Sequence, residues 1–283
     1  MSLVQLQGPV VEADWVIKNL NGSNLVILDA TLPKAVSSDG STDLPQLQIS
    51  GARFFDIKRQ FSDFEATYPN TWPGEKAFNS AARKIGINND SAIIVYDDHG
   101  IYSSARAWWM FRAMGHENVA VLNGGLPAWM AERGPTERKR NGDFEEGDFK
   151  GKFNKNFIID HQKVLRNLED DKFLVLDARA KDRFLGFVEE PREGLRSGHI
   201  PGSESLPYTD LLKEGKMRDR EELNSLFSSY SNKKKGLIFS CGSGITACVL
   251  ALGAELTGLE NLSVYDGSWT EWGSLDHLPI EKG

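Results

Sequence analysis

The chain of 283 residues contains the same arrangement of segments twice, offset so that Asp98 falls opposite Cys241. In the first copy, the β-branched run AIIVYD at residues 92–97 is followed by a helix-forming stretch at residues 104–114. In the second copy, GLIFS at Gly236–Ser240 is followed by a helical stretch at about residues 246–256. Short apolar runs of this kind predict buried strands, and their recurrence predicts one folding unit for each copy.

The agreement between the copies extends beyond these runs. NVAVLNGGLPAW is answered by NLSVYDGSWTEW, so that Trp129 falls opposite Trp272. Upstream, LVILDA at residues 25–30 pairs with FLVLDA at residues 173–178. Short apolar strands that alternate with amphipathic helices predict a parallel sheet covered on both faces. The predicted fold class is α/β, with two tandem doubly wound parallel-sheet domains.

The stretch between the two copies has a different composition. Residues 134–156 are rich in charged residues and glycine and contain almost no aliphatic side chain. Such a composition is typical of a connection between domains. We therefore predict an N-terminal domain at residues 1–135, a linker at 136–156 and a C-terminal domain at 157–283.

Charge and cysteine content exclude several classes of protein. Lys and Arg number 33 against 40 Asp and Glu, a formal net charge of -7, and the Lys233–Lys235 run is too short for a nucleic-acid surface. No apolar run approaches the ~18 residues of a membrane span, and no secretory signal is readable near the start. Two cysteines cannot form a disulfide framework or a cysteine-based zinc site. We predict a cytoplasmic protein without metal, nucleic-acid partner or membrane anchor.

The phrase FSCGSGITAC places Cys241 directly after a buried strand and directly before a helix. Gly242 and Gly244 allow the loop to curl so that successive N–H groups face inward as an anion nest. The N-terminus of the following helix adds partial positive charge, so the thiolate is favoured over the thiol. A buried core cysteine is the alternative interpretation of Cys241, and it is the one we favour for Cys248, which lies among Ala247, Val249 and Leu250.

The octet Cys-Gly-Ser-Gly-Ile-Thr-Ala-Cys, the DGSWTEW segment and its NGGLPAW echo resemble the mercaptopyruvate sulfurtransferase branch of the rhodanese superfamily. The resemblance covers essentially the whole chain, and the cysteine loop is its most specific part. It implies two tandem rhodanese-like domains, of which only the second carries the catalytic cysteine. Asp98, at the counterpart position, cannot hold a sulfane sulfur, so the first domain is expected to be structural and to supply one wall of the cleft.

The resemblance also implies the residues of the site. Cys241 is the expected nucleophile, and two arginines of the family, which bind the donor carboxylate and carbonyl, match Arg183 in DRF and Arg192 in EPREG. A planar guanidinium suits a 2-oxo acid. Arg179, beside Asp177 at a strand end, is predicted to be structural. The expected substrate-binding loop residues are Gly242, Ser243, Gly244, Ile245 and Thr246.

The implied reaction moves a sulfane sulfur from 3-mercaptopyruvate, through a persulfide, to a thiol acceptor such as thioredoxin or to cyanide. No cofactor is required. Family members that prefer thiosulfate carry basic residues directly after the cysteine, whereas Gly242 and Ser243 are neutral, which favours 3-mercaptopyruvate; thiosulfate is the alternative donor. The sequence departs from the family at Lys58, where relatives have an acidic residue, and at Asn70 and Thr71, where relatives have a histidine.

Two other classes of function compete with this interpretation. A cysteine-dependent phosphatase also places a cysteine in an anion-binding turn, but its family pattern requires an arginine six positions later, where this chain has Ala247. A noncatalytic persulfide carrier has the same loop, and turnover with the free donor distinguishes an enzyme from such a carrier.

Overall fold

A computed structural model describes residues 3–33, 47–140, 142–231 and 233–283. Over these residues the chain forms two compact units. The first unit comprises Met1–Asp63, Pro73–Asn154 and Glu214–Met217. The second comprises Phe64–Trp72, Lys155–Lys213 and Arg218–Gly283.

The strands are short, and the central strands of the two large sheets follow the apolar runs of the sequence. In chain order they are β1 (Val10–Val11), β2 (Leu25–Asp29), β3 (Leu47–Ile49), β4 (Arg53–Phe54), β5 (Ala92–Tyr96), β6 (Val119–Leu122), β7 (Thr136–Arg138), β8 (Ile158–Ile159), β9 (Phe173–Asp177), β10 (Glu204–Ser205), β11 (Leu212–Lys213), β12 (Lys216–Met217), β13 (Gly236–Ser240) and β14 (Leu262–Tyr265).

The helices lie between these strands or, in the case of the last helix, after the final strand, and there is a short 3-10 turn at Tyr208–Leu211. They are α1 (Ala13–Lys18), α2 (Glu75–Lys84), α3 (Ser104–Ala113), α4 (Gly125–Ala131), α5 (His161–Asp170), α6 (Lys181–Phe184), α7 (Arg220–Ser231), α8 (Ala247–Thr257) and α9 (Ser268–Trp272). No helix within the described part of the chain has the length and apolar character of a membrane span.

The first unit is built on a five-stranded sheet in the order β1-β6-β5-β2-β4, in which all neighbours are parallel. Parallel neighbours require crossover connections, and helices supply them. The core beside this sheet contains Tyr96 and Trp129, both fully buried. The indole N–H of Trp129 donates to the carbonyl oxygen of Pro135 at 3.0 Å, which satisfies the polar end of the buried side chain.

The second unit repeats this plan with a parallel sheet in the order β10-β9-β13-β14-β8. Its core contains Trp269 and Trp272, and the Trp272 indole donates to the carbonyl oxygen of Pro279 at 2.8 Å. The two sheets flanked by helices confirm the predicted fold class.

The register of β13 against β9 shows where the carboxyl edge of the second sheet lies. Ser240, the last residue of β13, lies opposite Asp177, the last residue of β9. The carboxyl ends of both strands therefore meet at one edge, where ligands bind in open α/β sheets. Cys241 is the next residue after β13 and emerges at that edge.

Two segments lie elsewhere than the sequence suggests. Residues 136–154, interpreted as linker, belong to the first unit: β7 pairs antiparallel with β3, Phe149 is buried, and the Phe149 N–H donates to the Ile87 carbonyl at 3.1 Å. Backbone hydrogen bonds and one aromatic anchor hold a chain that is otherwise polar. The segment Phe64–Trp72 belongs to the second unit although it precedes most of the first.

Candidate active site

Cys241 lies at the bottom of a loop between β13 and α8, and only 2% of its surface is exposed. The backbone N–H of Cys241 donates to the Ser268 hydroxyl oxygen at 3.2 Å, and that oxygen is 4.0 Å from the Cys241 sulfur. The Ser268 hydroxyl donates in turn to the carbonyl oxygen of Tyr265 at 2.8 Å. The start of α9 thus fixes the position of the cysteine.

The N-terminus of α9 also orients the first two peptide groups of the loop. The carbonyl oxygens of Cys241 and Gly242 accept hydrogen bonds from the N–H groups of Trp269 and Thr270, each at 2.9 Å. The Thr270 hydroxyl donates to the same Gly242 oxygen at 2.5 Å. Because carbonyl and N–H point in opposite directions in a trans peptide, the N–H groups of Gly242 and Ser243 point away from α9.

The loop amides remain available to a ligand. Within the described residues, the N–H groups of Gly242, Ser243, Ile245 and Thr246 donate to no protein acceptor. Gly244 has a φ of 75°, a left-handed conformation that glycine adopts without steric cost and that curls the loop. Backbone donors of this kind, grouped at the start of a helix, form an anion-binding nest.

Two guanidinium groups converge on this loop. A methyl group in place of the Gly242 hydrogen would lie 3.5 Å from Arg183 Nη2 and 3.7 Å from Arg192 Nη1. Arg192 also donates to the Thr270 hydroxyl at 3.0 Å and to the Ser243 hydroxyl at 3.4 Å. The two arginines expected from the sequence therefore lie together with the cysteine loop, and they add guanidinium N–H donors beside the amide nest.

A buried ion-pair network stands behind Arg183. Glu190 contacts both Arg179 and Arg183, and Arg179 also makes a bidentate pair with Asp177 at the end of β9. The Arg179 guanidinium lies 4.4 Å from the centre of the Trp269 ring. Arg179 is buried and fully paired, in agreement with its predicted structural role.

Asn70 reaches the loop from the segment Phe64–Trp72. Its Nδ2 lies 3.2 Å from the Ser243 hydroxyl oxygen and 3.3 Å from the Ser243 carbonyl oxygen. Its φ of 62° is in the left-handed region, which asparagine tolerates better than most residues. Trp72 is held nearby, since its N–H donates to Asp266 at 2.7 Å. Asn70, which the sequence analysis noted as a departure from the family, therefore contacts the cysteine loop directly.

The remaining predicted residues occupy different places. Ile245 is buried, Thr246 is the residue before α8, and the buried Cys248 thiol donates to the Gly244 carbonyl at 3.4 Å. Lys58 is exposed in the first unit, where its N–H donates to Asp56. Cys248 thus supports the loop from the core, in agreement with its interpretation as a core residue.

Sequence reasoning missed Ser268, Thr270 and Glu190. Ser268 has a φ of 49°, and Gly125, its counterpart in the first copy, has a φ of 55°. Alignment of the two copies in the sequence places Ser268 opposite this glycine, and a glycine there is a sign of a left-handed backbone. A serine at such a position indicates a functional reason for the side chain. No comparable signal marks Thr270 or Glu190.

The second unit thus holds a buried thiol, two guanidinium groups and loop amides that have no protein acceptor within the described residues, all at the carboxyl edge of its parallel sheet. The first unit repeats the sheet but not the thiol. A sequence model of the Rhodanese-like domain matches residues 12–132 and 160–275. The chain belongs to the rhodanese family.

Individual rhodanese relatives match over nearly the whole chain. Human 3-mercaptopyruvate sulfurtransferase is 39% identical over 282 residues, which cover 96% of this chain and 94% of the relative. Thiosulfate/3-mercaptopyruvate sulfurtransferase 1, mitochondrial, of Arabidopsis thaliana is 37% identical and covers 99% of this chain and 80% of the relative. The crystal structure of SseA from Escherichia coli, described as a 3-mercaptopyruvate sulfotransferase, matches with a TM-score of 0.80 and 34% identity over 93% of this chain and 99% of SseA.

These similarities establish the class of reaction. The chain is a sulfurtransferase with two rhodanese domains. Within the described residues, no group of three or more His, Cys, Asp and Glu side chains is arranged to hold a metal ion. The chemistry that this chain's own residues supply is that of a thiol held among hydrogen-bond donors.

Proposed function

We propose that this rhodanese transfers sulfur from 3-mercaptopyruvate to a thiol acceptor, through a persulfide on Cys241. The observation that carries the proposal is the convergence of Arg183 and Arg192 on the cysteine loop. Within the described residues, the N–H groups of Gly242, Ser243, Ile245 and Thr246 in this loop donate to no protein acceptor. Guanidinium groups bind a carboxylate and polarise a carbonyl oxygen, and 3-mercaptopyruvate presents both. The residues after Cys241 add no further positive charge.

In the first step, the Cys241 thiolate attacks the sulfur atom of the donor. A sulfur–sulfur bond forms, and the carbon–sulfur bond of the donor breaks. The electron pair of that bond goes to the carbon skeleton, which leaves as the enolate of pyruvate and then takes a proton. The outer sulfur of the persulfide, which carries negative charge when deprotonated, lies among the loop amides, whose preorganised N–H groups stabilise it.

Arg183 and Arg192 orient the donor in this proposal and offset the charge that develops on the enolate oxygen. The Ser243 hydroxyl oxygen accepts hydrogen bonds from Asn70 and Arg192, so its own hydrogen is free to point toward the donor. Both contacts come from N–H donors, which offer no acceptor to the hydroxyl hydrogen of Ser243. Ser243 therefore acts as a hydrogen-bond donor and does not pass its proton to the residues behind it.

In the second step, an acceptor thiolate attacks the outer sulfur of the persulfide. The acceptor leaves as a persulfide and the Cys241 thiolate is regenerated; with cyanide the product is thiocyanate. A reduced protein dithiol such as thioredoxin fits this step because it can release the sulfur as sulfide by closing its own disulfide. Both cysteines of the chain are free, which suits a reducing compartment, and we propose the cytoplasm.

The test is steady-state sulfur transfer to one acceptor thiol with 3-mercaptopyruvate and with thiosulfate, followed by the same assay on Cys241→Ser. We expect kcat/KM to be larger for 3-mercaptopyruvate and Cys241→Ser to lose activity by about a thousandfold or more. Cys248→Ser is the matched control, and it should retain turnover. Full activity of Cys241→Ser would refute the mechanism.

The same assay decides between the alternatives. A preference for thiosulfate, the other donor in the name of the Arabidopsis relative, would keep the persulfide mechanism and change the donor. Slow, single loading of Cys241 without turnover would indicate a persulfide carrier.

A further inference from the structure

Glu190 is a buried acidic residue between two arginines of the second unit. Its side chain is 1% exposed. One carboxylate oxygen lies 2.8 Å from Arg179 Nη1 and 3.3 Å from Arg183 Nε, and the other lies 2.6 Å from Arg183 Nη2. Each oxygen of Glu190 is thus engaged, and two of the three contacts hold the guanidinium that faces the cysteine loop.

The network around Glu190 carries no net formal charge. Asp177 and Glu190 contribute two negative charges, and Arg179 and Arg183 contribute two positive charges. Arg192 differs, because within the described residues it contacts only the hydroxyl groups of Thr270 and Ser243 and no carboxylate. The two guanidinium groups at the loop are therefore unequal: one is neutralised by a buried carboxylate, and the other retains its full charge.

This inequality matters because the two candidate donors differ in charge. 3-Mercaptopyruvate is a monoanion near neutral pH, and thiosulfate is a dianion. In a partly buried site, each additional positive charge favours a dianion over a monoanion, and each negative charge has the opposite effect. A carboxylate paired with Arg183 lowers the positive charge and occupies the N–H donors on one side of the guanidinium, while the guanidinium keeps its other N–H donors.

We infer that Glu190 determines donor specificity as a positioning residue. It fixes the direction of the Arg183 guanidinium and offsets its charge, so that the site matches a monoanionic 2-oxo thiol and disfavours thiosulfate. The inference rests on the proposed function, because it assumes that Arg183 faces the bound donor.

Glu190→Gln tests this directly. The glutamine carbonyl oxygen can keep the contacts to Arg179 Nη1 and Arg183 Nε, while the negative charge is lost. We expect the ratio of kcat/KM for thiosulfate to kcat/KM for 3-mercaptopyruvate to rise about tenfold, since one unit charge a few ångströms away changes binding by that order. Equal losses with both donors would show that Glu190 is merely structural and would overturn the inference.

Glu189→Gln is the matched control, because it removes the same charge from the exposed neighbouring residue. It should leave the ratio unchanged. A similar rise in Glu189→Gln would mean that overall charge, and not the buried pair, sets the preference, which also overturns the inference.

Arg183→Gln is a second variant for the same measurement of the kcat/KM ratio, and it tests the inference even if Glu190→Gln does not fold. It leaves Asp177 and Glu190 with Arg179 as their one partner in the network, a net negative charge near the loop, so both activities fall and the ratio should shift further against thiosulfate. A shift toward thiosulfate contradicts the inference. Failure of the proposed function looks different, because the unmodified protein would then show no turnover of 3-mercaptopyruvate or no sulfur on Cys241.

Discussion

The loop after β5 in the first unit and the loop after β13 in the second occupy the same place in their sheets but use their backbone amides differently. In the first unit, the Asp97 carboxylate accepts hydrogen bonds from the N–H groups of His99, Tyr102 and Ser104 at 2.8 to 2.9 Å. It also accepts the Ser104 hydroxyl at 2.6 Å. A side chain of the protein itself fills the anion nest of the first unit.

In the second unit, Ser240 stands at the position of Asp97 and is too short to do the same. The counterparts of His99 and Tyr102 are Gly242 and Ile245, whose N–H groups find no acceptor within the described residues. The comparison teaches that the first unit lacks more than a cysteine. Its anion site is occupied by an internal carboxylate, which stabilises the loop and excludes a ligand.

The largest test of this comparison transfers the carboxylate to the second unit. Ser240→Asp should allow the new side chain to accept the free amides and repel an anionic donor, and we expect kcat/KM to fall about a hundredfold or more although Cys241 is intact. Steady-state assays with 3-mercaptopyruvate measure the loss.

Ser240→Ala is the control, because the Ser240 hydroxyl has no hydrogen-bond partner within the described structure. Its activity should stay near that of the unmodified protein. Unchanged activity in a folded Ser240→Asp protein, verified by its thermal midpoint, would show that free amides are not what separates the two loops.

A second test separates stability from activity at two glycines. Gly100 has a φ of 105°, and a methyl group on it would lie 2.5 Å from the Gly215 carbonyl oxygen, so Gly100→Ala should lower the free energy of unfolding by about 2 kcal/mol. A methyl group on Gly242 meets only the arginine side chains at ordinary contact distance. Gly242→Ala should therefore fold normally and lose about tenfold in kcat/KM. Denaturant unfolding and steady-state kinetics on both variants measure these losses. A loss of activity in Gly100→Ala together with a loss of stability in Gly242→Ala would contradict the comparison.

The smallest expected effect concerns Asp98, the counterpart of Cys241. Burial raises the pKa of the Asp98 carboxyl above its ordinary value, so ionisation of Asp98 opposes folding. Below about pH 3.9, the ordinary pKa of an Asp carboxyl in an unfolded chain, Asp98 holds its proton in both the folded and the unfolded state, and its ionisation does not affect stability. The destabilisation appears as the pH rises above that value. Asp98→Asn should therefore raise the thermal midpoint near pH 7, with a difference that shrinks toward pH 4. A difference that grows on acidification would contradict the account.

The sequence predicted the fold and the centre of the site because both depend on local patterns. Strands β5 and β13 are continuous apolar runs, and α8 begins at Ala247, within one residue of its predicted start. Cysteine between a strand and a helix, followed by glycines, has few conformations open to it. The domain boundaries, by contrast, stay a prediction. Residues 136–154 belong to the first unit and Phe64–Trp72 to the second, and the composition of these segments did not indicate either assignment.

What the sequence did not show depends on side-chain direction and burial. Glu190 is one of four acidic residues in a stretch of twelve, and no pattern distinguishes the buried one from its exposed neighbour Glu189. Asp97 and Asp98 are adjacent aspartates, and only the structure shows that the first binds the loop amides while the carboxylate oxygens of the second lack hydrogen bonds within the described residues. The contact of Asn70 with Ser243 joins residues 173 positions apart.

The most direct measurement is a single turnover of the unmodified protein with 3-mercaptopyruvate in the absence of acceptor, followed by peptide mass analysis. The account predicts one equivalent of pyruvate per chain and a mass increase of one sulfur atom on the peptide that contains Cys241, with Cys248 unchanged in tandem fragmentation. Pyruvate release without sulfur on Cys241, or sulfur on Cys248 instead, would contradict the claim that the open nest of the second unit carries the persulfide.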